Sequence, residues 1–318
     1  MEKQLASVFD YFAIFDYFPS FEEVYTFFPK KISKKRLKTV YEAKKYTVGE
    51  YSKNKLKIQN SKFKISKEKL SNWRFRAYVK LVSLFPQIKL VGLSGSVAMM
   101  NARESDDIDL FIITAKNRLF TARFIALIFA QLLGLRRQRQ TEKLDIVLSN
   151  HLTSKNVRTI ASKKTSSFLT NHQALIADHS TKDKTKDKVC LNLFFDGGNL
   201  RIPKSKQTLF VGHEVLQMKP LVSKDFTYEK FLSANRWVYS FFPNAKGSSK
   251  IKIRKLRQSN DCAILKRVFD LVEAVLKRIQ LSIIYSHKTT EIITNTQLWF
   301  HPDDYGKRFK VNKSAKKL

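Results

Sequence analysis

The fold is decided by residues 93–114, LSGSVAMMNARESDDIDLFIIT, in which a turn of small residues precedes two alternating aspartates. Ile88 to Leu93, just before this segment, forms an apolar run that indicates a short buried strand. Asp107 to Thr114 indicates a second strand, and the Gly-Ser turn opens a short helix between the two. The segment therefore predicts a strand, a turn with a helix, and a second strand.

The Gly-Ser turn is suited to binding phosphate. A helix that begins directly after a strand leaves unpaired backbone amides at its first turn, and its dipole adds positive potential there. Gly95 lets the backbone approach a ligand closely, and the Ser96 hydroxyl adds a donor. We therefore expect Gly95 and Ser96 to hold the phosphates of a nucleotide.

The aspartates that follow indicate a metal site. Side chains alternate along a strand, so Asp107 and Asp109 share one face while Ile108 points into the core and Asp106 faces away. Two such carboxylates lie about 6.6 Å apart and repel by roughly 2 to 3 kcal/mol at an effective dielectric of about 20. A divalent cation reverses this penalty, and Mg²⁺ prefers one or two carboxylates together with phosphate oxygens.

The surrounding pattern indicates an α/β domain. A helix from Ser71 ends before Pro86, an apolar helix spans about 117–135, and strands are predicted at Lys143–Leu148 and Val189–Phe195. Residues 149–188 are polar and without periodicity, which predicts a long insertion. The domain is expected over residues 69–200.

The first 68 residues predict a winged-helix-like module. Residues 2–17 have a helical apolar pattern, Ser20 and Glu23 have capping-box spacing before a second helix, and a third helix begins after Ser33. Alternating residues over 46–65 predict a hairpin. Six basic residues around the third helix favour nucleic-acid contact, although a packing or dimerisation role stays open: Lys30, Lys31, Lys34, Lys35, Arg36 and Lys38.

The C-terminal third predicts helices and a basic tail. Helical patterns lie at Glu214–Met218, Tyr228–Phe242 and Cys262–Tyr285, within a helical part that spans 201–306. Residues 307–318 contain no acidic residue and predict a frayed tail.

The overall composition bounds the class of protein. The 318 residues carry 60 Lys and Arg against 27 Asp and Glu, a formal charge of +33, which favours a polyanionic partner such as RNA, DNA or nucleotide phosphates. Codon bias toward lysine is an alternative source of this charge. Cys190 and Cys262 lie far apart in apolar runs, which argues against a disulfide framework. Without a signal-peptide pattern or an apolar run of about 20 residues, the chain is expected to be cytoplasmic and not in a membrane.

The motif resembles the signature of the DNA polymerase β-like nucleotidyltransferase superfamily, particularly its small bacterial members. Gly95-Ser96, Ala98 and the Asp107-Ile108-Asp109-Leu110 strand carry the resemblance, which covers roughly residues 70–200. It implies a short mixed sheet flanked by helices, two Mg²⁺ ions, and transfer of a nucleoside monophosphate from a nucleoside triphosphate (NTP) to an acceptor hydroxyl. The chain departs from the pattern at Asp106, where serine is usual, and in the turn helix, where Val97, Met99 and Met100 replace arginines and a glycine.

The superfamily's third carboxylate has two candidate positions. Asp145 lies between apolar residues of the strand predicted at 143–148. Alternatively, the strand at 188–195 takes that place in the sheet, which puts Asn192 at the position and makes 139–187 an insertion. Asparagine is not a base and binds metal weakly, so the second alignment favours a degenerate or differently acting site.

Two functions follow. The first is a Mg²⁺-dependent nucleotidyltransferase in which Gly95 and Ser96 hold the triphosphate, Asp107 and Asp109 bind metal, and Asp145 completes the catalytic site; the acceptor is RNA, DNA, a protein or a small molecule. The alternative is a catalytically silent nucleic-acid-binding or regulatory protein, or one component of a toxin-antitoxin pair, built on the same fold.

Overall fold

The computed structural model describes residues 1–47, 52–137, 187–248, 263–286 and 291–300. Within these ranges the chain is a mixed α/β protein built on one six-stranded sheet, as the coarse fold class predicted. The particular nucleotidyltransferase fold stays a prediction.

The sheet is mixed, and its spatial order is β4-β1-β2-β3-β6-β5. Its strands are β1 (Ile88–Leu93), β2 (Ile108–Thr114), β3 (Val189–Asp196), β4 (Lys219–Ser223), β5 (Ile292–Ile293) and β6 (Gln297–Trp299). Only β2 and β3 pair in parallel; the other four pairings are antiparallel. The predicted strands at 88–93, 107–114 and 189–195 are therefore confirmed to within one residue at each end.

The described residues form eleven helices. They are α1 (Glu2–Ala13), α2 (Phe21–Phe27), α3 (Lys34–Thr47), α4 (Ser52–Ser71), α5 (Trp73–Leu84), α6 (Gly95–Ala98), α7 (Leu119–Leu132), α8 (Leu209–Gln217), α9 (Thr227–Ala234), α10 (Val238–Phe241) and α11 (Ala263–Ser286). Short 3₁₀ turns lie at Lys204–Lys206 and Pro243–Ser248. No helix of the described ranges is long and apolar enough to cross a membrane.

The central strand β2 has both faces covered. Ile108, Leu110 and Ile112 point into a core shared with α5 and α7, while Phe111 and Ile113 point into a second core shared with α8 and α9. This alternation is the two-residue period of a strand buried on both sides, which explains its uninterrupted apolar sequence. The strand is therefore rigidly placed, and so are the carboxylates at its start.

The N-terminal helices pack around a third core. Ser20 and Glu23 form the predicted capping box at the start of α2: the Glu23 amide donates to Ser20 Oγ at 3.3 Å, and the Ser20 amide donates to Glu23 Oε2 at 2.8 Å. Leu5, Phe12 and Val24 are fully buried in this core, which also includes Met99 at the end of α6. The N-terminal helices thus pack directly against the turn helix.

The predicted hairpin over 46–65 is wrong, because α4 occupies the described part of that segment. Ile65 and Leu70 of this helix pack against the core, and four polar residues point inward with helical spacing: Gln59, Lys62, Ser66 and Lys69. Each has a specific partner; for example, Lys62 Nζ donates to the Asp16 carbonyl at 3.2 Å, and Ser66 Oγ accepts from the Ala102 amide at 3.0 Å. The apolar residues alone showed a two-residue alternation, so the helical period was missed. The winged-helix module therefore lacks its predicted wing over the described residues 52–65.

The C-terminal third is not purely helical. The predicted helix at 228–242 is two helices, α9 and α10, and the one at 214–218 begins earlier, at Leu209. Strands β4, β5 and β6 from this part extend both edges of the sheet. The segment Lys143–Leu148, nearly all of the insertion at 149–188, and the tail at 307–318 lie outside the described residues.

Candidate functional site

The turn after β1 is packed directly against the side-chain carboxylate of Asp109 on β2. Gly95 has φ +66°, the left-handed region that favours glycine, and a Cβ built on it would overlap Asp109 Oδ2. The Ser94 amide donates to the Asp109 carbonyl at 3.0 Å, which holds the turn onto β2. Turn and carboxylate therefore form one site, with no room for a side chain between them.

Asp107 and Asp109 lie at the start of β2 and interact electrostatically. Burial first and the Asp107 charge second raise the pKa of Asp109 to about 7. Burial also raises the pKa of Asp107, although the nearby Arg137 charge opposes this effect. The pair thus resists carrying two negative charges, which is the property expected of a site completed by a cation.

Arg137 is a site residue that sequence reasoning did not single out. Its Nη1 lies 2.7 Å from Asp107 Oδ2, and its side chain is 61% exposed while that of Asp107 is 12% exposed. The same nitrogen donates to Cys190 Sγ at 3.7 Å. The only sequence signal was its position in a basic run, residues 136–139, directly after the apolar helix.

The strand beside β2 is β3, so Asn192 lies at the place where a third carboxylate was sought. Asn192 Nδ2 donates to Asp109 Oδ1 at 3.2 Å. The parallel register shifts here: Leu110 pairs with Leu191 and Phe111 with Leu193. This pairing corresponds to the alignment in which the strand at 188–195 lies beside β2 and Asn192 takes the position of the third carboxylate. Asp145, the candidate of the first alignment, lies outside the described residues.

Cys190 orients the asparagine. Burial first and the Asp109 charge second raise the pKa of the Cys190 thiol to about 12, so the thiol keeps its proton at neutral pH. Its Sγ donates to Asn192 Oδ1 at 2.9 Å, which leaves the amide nitrogen of Asn192 directed at Asp109. The chain Arg137, Cys190, Asn192, Asp109 is one hydrogen-bonded network.

Glu214 on α8 is a further carboxylate beside the turn. It shares a cavity of about 40 Å³ with Gly95 and Ser96. Burial raises the pKa of Glu214 to about 7, and the Asp109 charge adds to the shift. A lone acidic residue within LFVGHEVLQ carried no signal in the sequence, because only the packing of α8 brings it to the turn.

Asp107 and Asp109 are the two carboxylates that would hold a divalent cation. Among the described residues, no group of three or more His, Cys, Asp and Glu is arranged to hold a metal. Two carboxylates nevertheless match the way Mg²⁺ binds when phosphate oxygens and water supply the remaining ligands, and Asn192 directs its amide nitrogen rather than its oxygen at Asp109. The overlap that a Gly95 side chain would cause also shows that phosphate on the turn would lie close to a cation on Asp109.

Comparison of the chain with protein-family models, curated proteins and solved structures found no match in any of the three. The likeness of residues 93–114 to the nucleotidyltransferase signature is thus a likeness of motif, and the function has to be inferred from the geometry of the site.

Proposed function

We propose that this protein is a Mg²⁺-dependent nucleotidyltransferase that moves a nucleoside monophosphate from an NTP to an acceptor hydroxyl. The observation that carries the proposal is the packing of Gly95 against the Asp109 carboxylate. Because the turn touches the Asp109 carboxylate, an anion on the turn and a cation on Asp107 and Asp109 would neutralise one another. An NTP-Mg²⁺ complex supplies both charges in one ligand.

Asp107 and Asp109 would hold the cation, which supplies neutralisation of the phosphate charge when it is bound. Asn192 holds the Asp109 carboxylate in place through its hydrogen bond. Arg137 is mostly exposed and pairs with Asp107, so its planar guanidinium is placed to exchange that carboxylate for a phosphate group.

In the transfer step, the acceptor oxygen bonds to the α-phosphorus while the bond from that phosphorus to the bridging oxygen breaks. Pyrophosphate leaves with the electron pair of the broken bond, and the acceptor hydroxyl gives up its proton. Glu214 shares the cavity of the turn and has a pKa near neutrality, which suits a proton acceptor at this position.

The proposal is tested by calorimetric titration of ATP, GTP, CTP and UTP with and without Mg²⁺. Binding of at least one NTP should require Mg²⁺ and should be lost in the Asp107→Asn/Asp109→Asn double variant. Asp106→Asn is the matched control, because Asp106 is adjacent but accepts a hydrogen bond from the Arg103 amide at 2.9 Å. Release of pyrophosphate from the bound NTP then measures transfer. Equal binding by the double variant would refute the assignment.

Asn192 favours a second function, NTP binding without transfer. An amide adds no negative charge to the site, so a cation would be held by two carboxylates only. In that case the wild-type protein binds NTP-Mg²⁺ but releases no pyrophosphate, and the bound nucleotide acts as a regulatory ligand. Pyrophosphate release that appears only in Asn192→Asp would establish this function over the first.

A further inference from the structure

A large cavity lies beside the turn, between the N-terminal helices and α8. Its volume is about 680 Å³, within the range of about 300 to 1,000 Å³ that is typical of small-molecule sites. The walls come from α2 and α4, and the floor is formed by the end of α6 and by residues 216–219. An organic ligand of moderate size fits this space.

The large cavity adjoins the smaller one at the turn. Met99, Gln217 and Met218 line both, and the smaller cavity also includes Gly95 and Ser96. Gly95 lines the smaller cavity and Ala98 the larger, and these two ends of α6 are separated by a helical rise of about 4.5 Å. A ligand with phosphates on the turn would therefore extend its remaining part into the large cavity.

The chemistry of the large cavity suits an uncharged aromatic group rather than phosphate. Its lining includes two carboxylates, Glu22 and Glu23, against one ammonium, Lys219, in a chain with a formal charge of +33. Lys34 pairs with Glu22 at 2.8 Å, so the lining has no excess of positive charge that would draw polyphosphate into the cavity. Phe63 on α4 is 43% exposed at its wall, and exposed aromatic rings of this kind stack on nucleobases.

Gln217 offers an unused hydrogen-bond donor between the two cavities. Its Nε2 atom is buried and has no hydrogen-bond partner among the described residues. Buried polar groups are nearly always paired, and a rotation of the Gln217 side chain would bring this donor into either of the two cavities that the residue lines. The edge of a base or a ribose hydroxyl supplies the acceptor that this amide lacks.

We propose that the large cavity binds the nucleoside part of the NTP, with Phe63 stacking on the base and Gln217 donating to the nucleoside. The inference rests on the proposed function, since it places the phosphates on the Gly95 turn. It assigns the N-terminal helices to the nucleotide site, where the sequence had suggested nucleic-acid contact.

The test compares each NTP with inorganic triphosphate, both titrated calorimetrically in Mg²⁺. Wild-type protein should bind its preferred NTP more tightly than triphosphate. Phe63→Ala should weaken NTP binding about fivefold or more and leave triphosphate binding unchanged. Gln217→Met, which keeps the length but removes the donor, should change the ranking of the four NTPs. Trp73→Ala is the control, because Trp73 is 69% exposed and lies outside the cavity lining.

The outcomes separate the two proposals. Equal affinity of the wild-type protein for NTP and triphosphate would overturn the nucleoside site and leave the phosphate and metal site intact. Unchanged NTP binding by both Phe63→Ala and Gln217→Met, in proteins that bind triphosphate normally, would also overturn it. Failure to bind either ligand would overturn the proposed function and this inference together.

Discussion

Asn192 donates a hydrogen bond from Nδ2 to Oδ1 of Asp109, 3.2 Å away across the parallel strands β3 and β2. The bond joins a neutral amide to the Asp109 carboxylate. Burial and the charge of Asp107 raise the pKa of that carboxylate. The site thus holds two acidic groups and one amide, and this composition determines how it should respond to charge, protons and metal.

Asn192→Asp should make the protein depend on Mg²⁺ for stability. The substitution removes a hydrogen bond and adds a third carboxylate, which should lower the free energy of unfolding by about 1 to 3 kcal/mol without metal. Mg²⁺ should restore most of this loss, because it binds the folded state. Thermal unfolding with EDTA and with Mg²⁺ measures the effect. Asn192→Ala, which loses the bond without gaining charge, should respond to Mg²⁺ no more than wild type.

Mg²⁺ binding should release protons below pH 7. The pKa of Asp109 is about 7, so the carboxyl is mostly protonated at pH 6 and ionised at pH 8. Because the proton must leave before a cation binds, Mg²⁺ affinity should fall by up to about tenfold per unit as pH drops below 7. Calorimetry in buffers of different ionisation enthalpy counts the released protons. A heat at pH 6 that is independent of the buffer would contradict the prediction.

Glu214→Gln should stabilise the protein at alkaline pH. Burial first and the Asp109 charge second raise the pKa of Glu214 from an ordinary value of 4.5 to about 7, so the folded state holds the proton more tightly than the unfolded state does. The contribution of Glu214 to the free energy of unfolding is therefore fully present below about pH 4.5 and is lost as pH rises through 7. The glutamine variant should be more stable than wild type at pH 8, by on the order of 1 to 3 kcal/mol, and similar at pH 5. Urea unfolding at both pH values provides the comparison, and an equal difference at the two would disprove it.

Gly95→Ala should abolish NTP binding as well as destabilise the fold. Alanine at φ +66° costs about 1 to 2 kcal/mol, and its Cβ would also displace the Asp109 carboxylate. Gly134→Ala is a matched control, since Gly134 has the same φ of +66° while its nearest neighbour, Arg74 Nη1, is 4.0 Å from the added Cβ. Unfolding and calorimetric titration of both variants separate the backbone cost from the loss of the site. Normal binding by Gly95→Ala would show that the close packing is dispensable.

The sequence predicted the local geometry of the site well. Strands β1 and β2, the Gly-Ser turn and the capping box of α2 each depend on residues within a few positions of one another. Apolar runs, a glycine with φ of +66° and a Ser–Glu spacing act locally, so their effects are visible without any knowledge of the rest of the chain. Even the inward direction of Ile108 and Leu110 follows from the strand period.

The helix α4 shows where this reasoning failed. Its packed face includes Ile65 and Leu70, but most of it consists of ordinarily solvent-facing types: Gln59, Lys62, Ser66 and Lys69. Lys69, with 2% of its side chain exposed, donates to the Glu104 carbonyl at 2.8 Å and pairs with Asp187 at 3.1 Å. These partners are remote in sequence, so no local pattern could show that the polar face is the buried one.

By itself, the sequence determined that two carboxylates follow a Gly-Ser turn at fixed spacing, because strand and turn geometry are short-range properties. Only the tertiary structure decided which strand lies beside β2, and hence that Asn192 contacts Asp109. It also decided that Glu214 and Gln217 line the cavity at the turn and that Arg137 pairs with Asp107. Strand order and helix packing depend on contacts between segments as far as 216 residues apart, as in the hydrogen bond from Asn244 to the Phe28 carbonyl. The free energy of such contacts is carried by whole cores rather than by any motif.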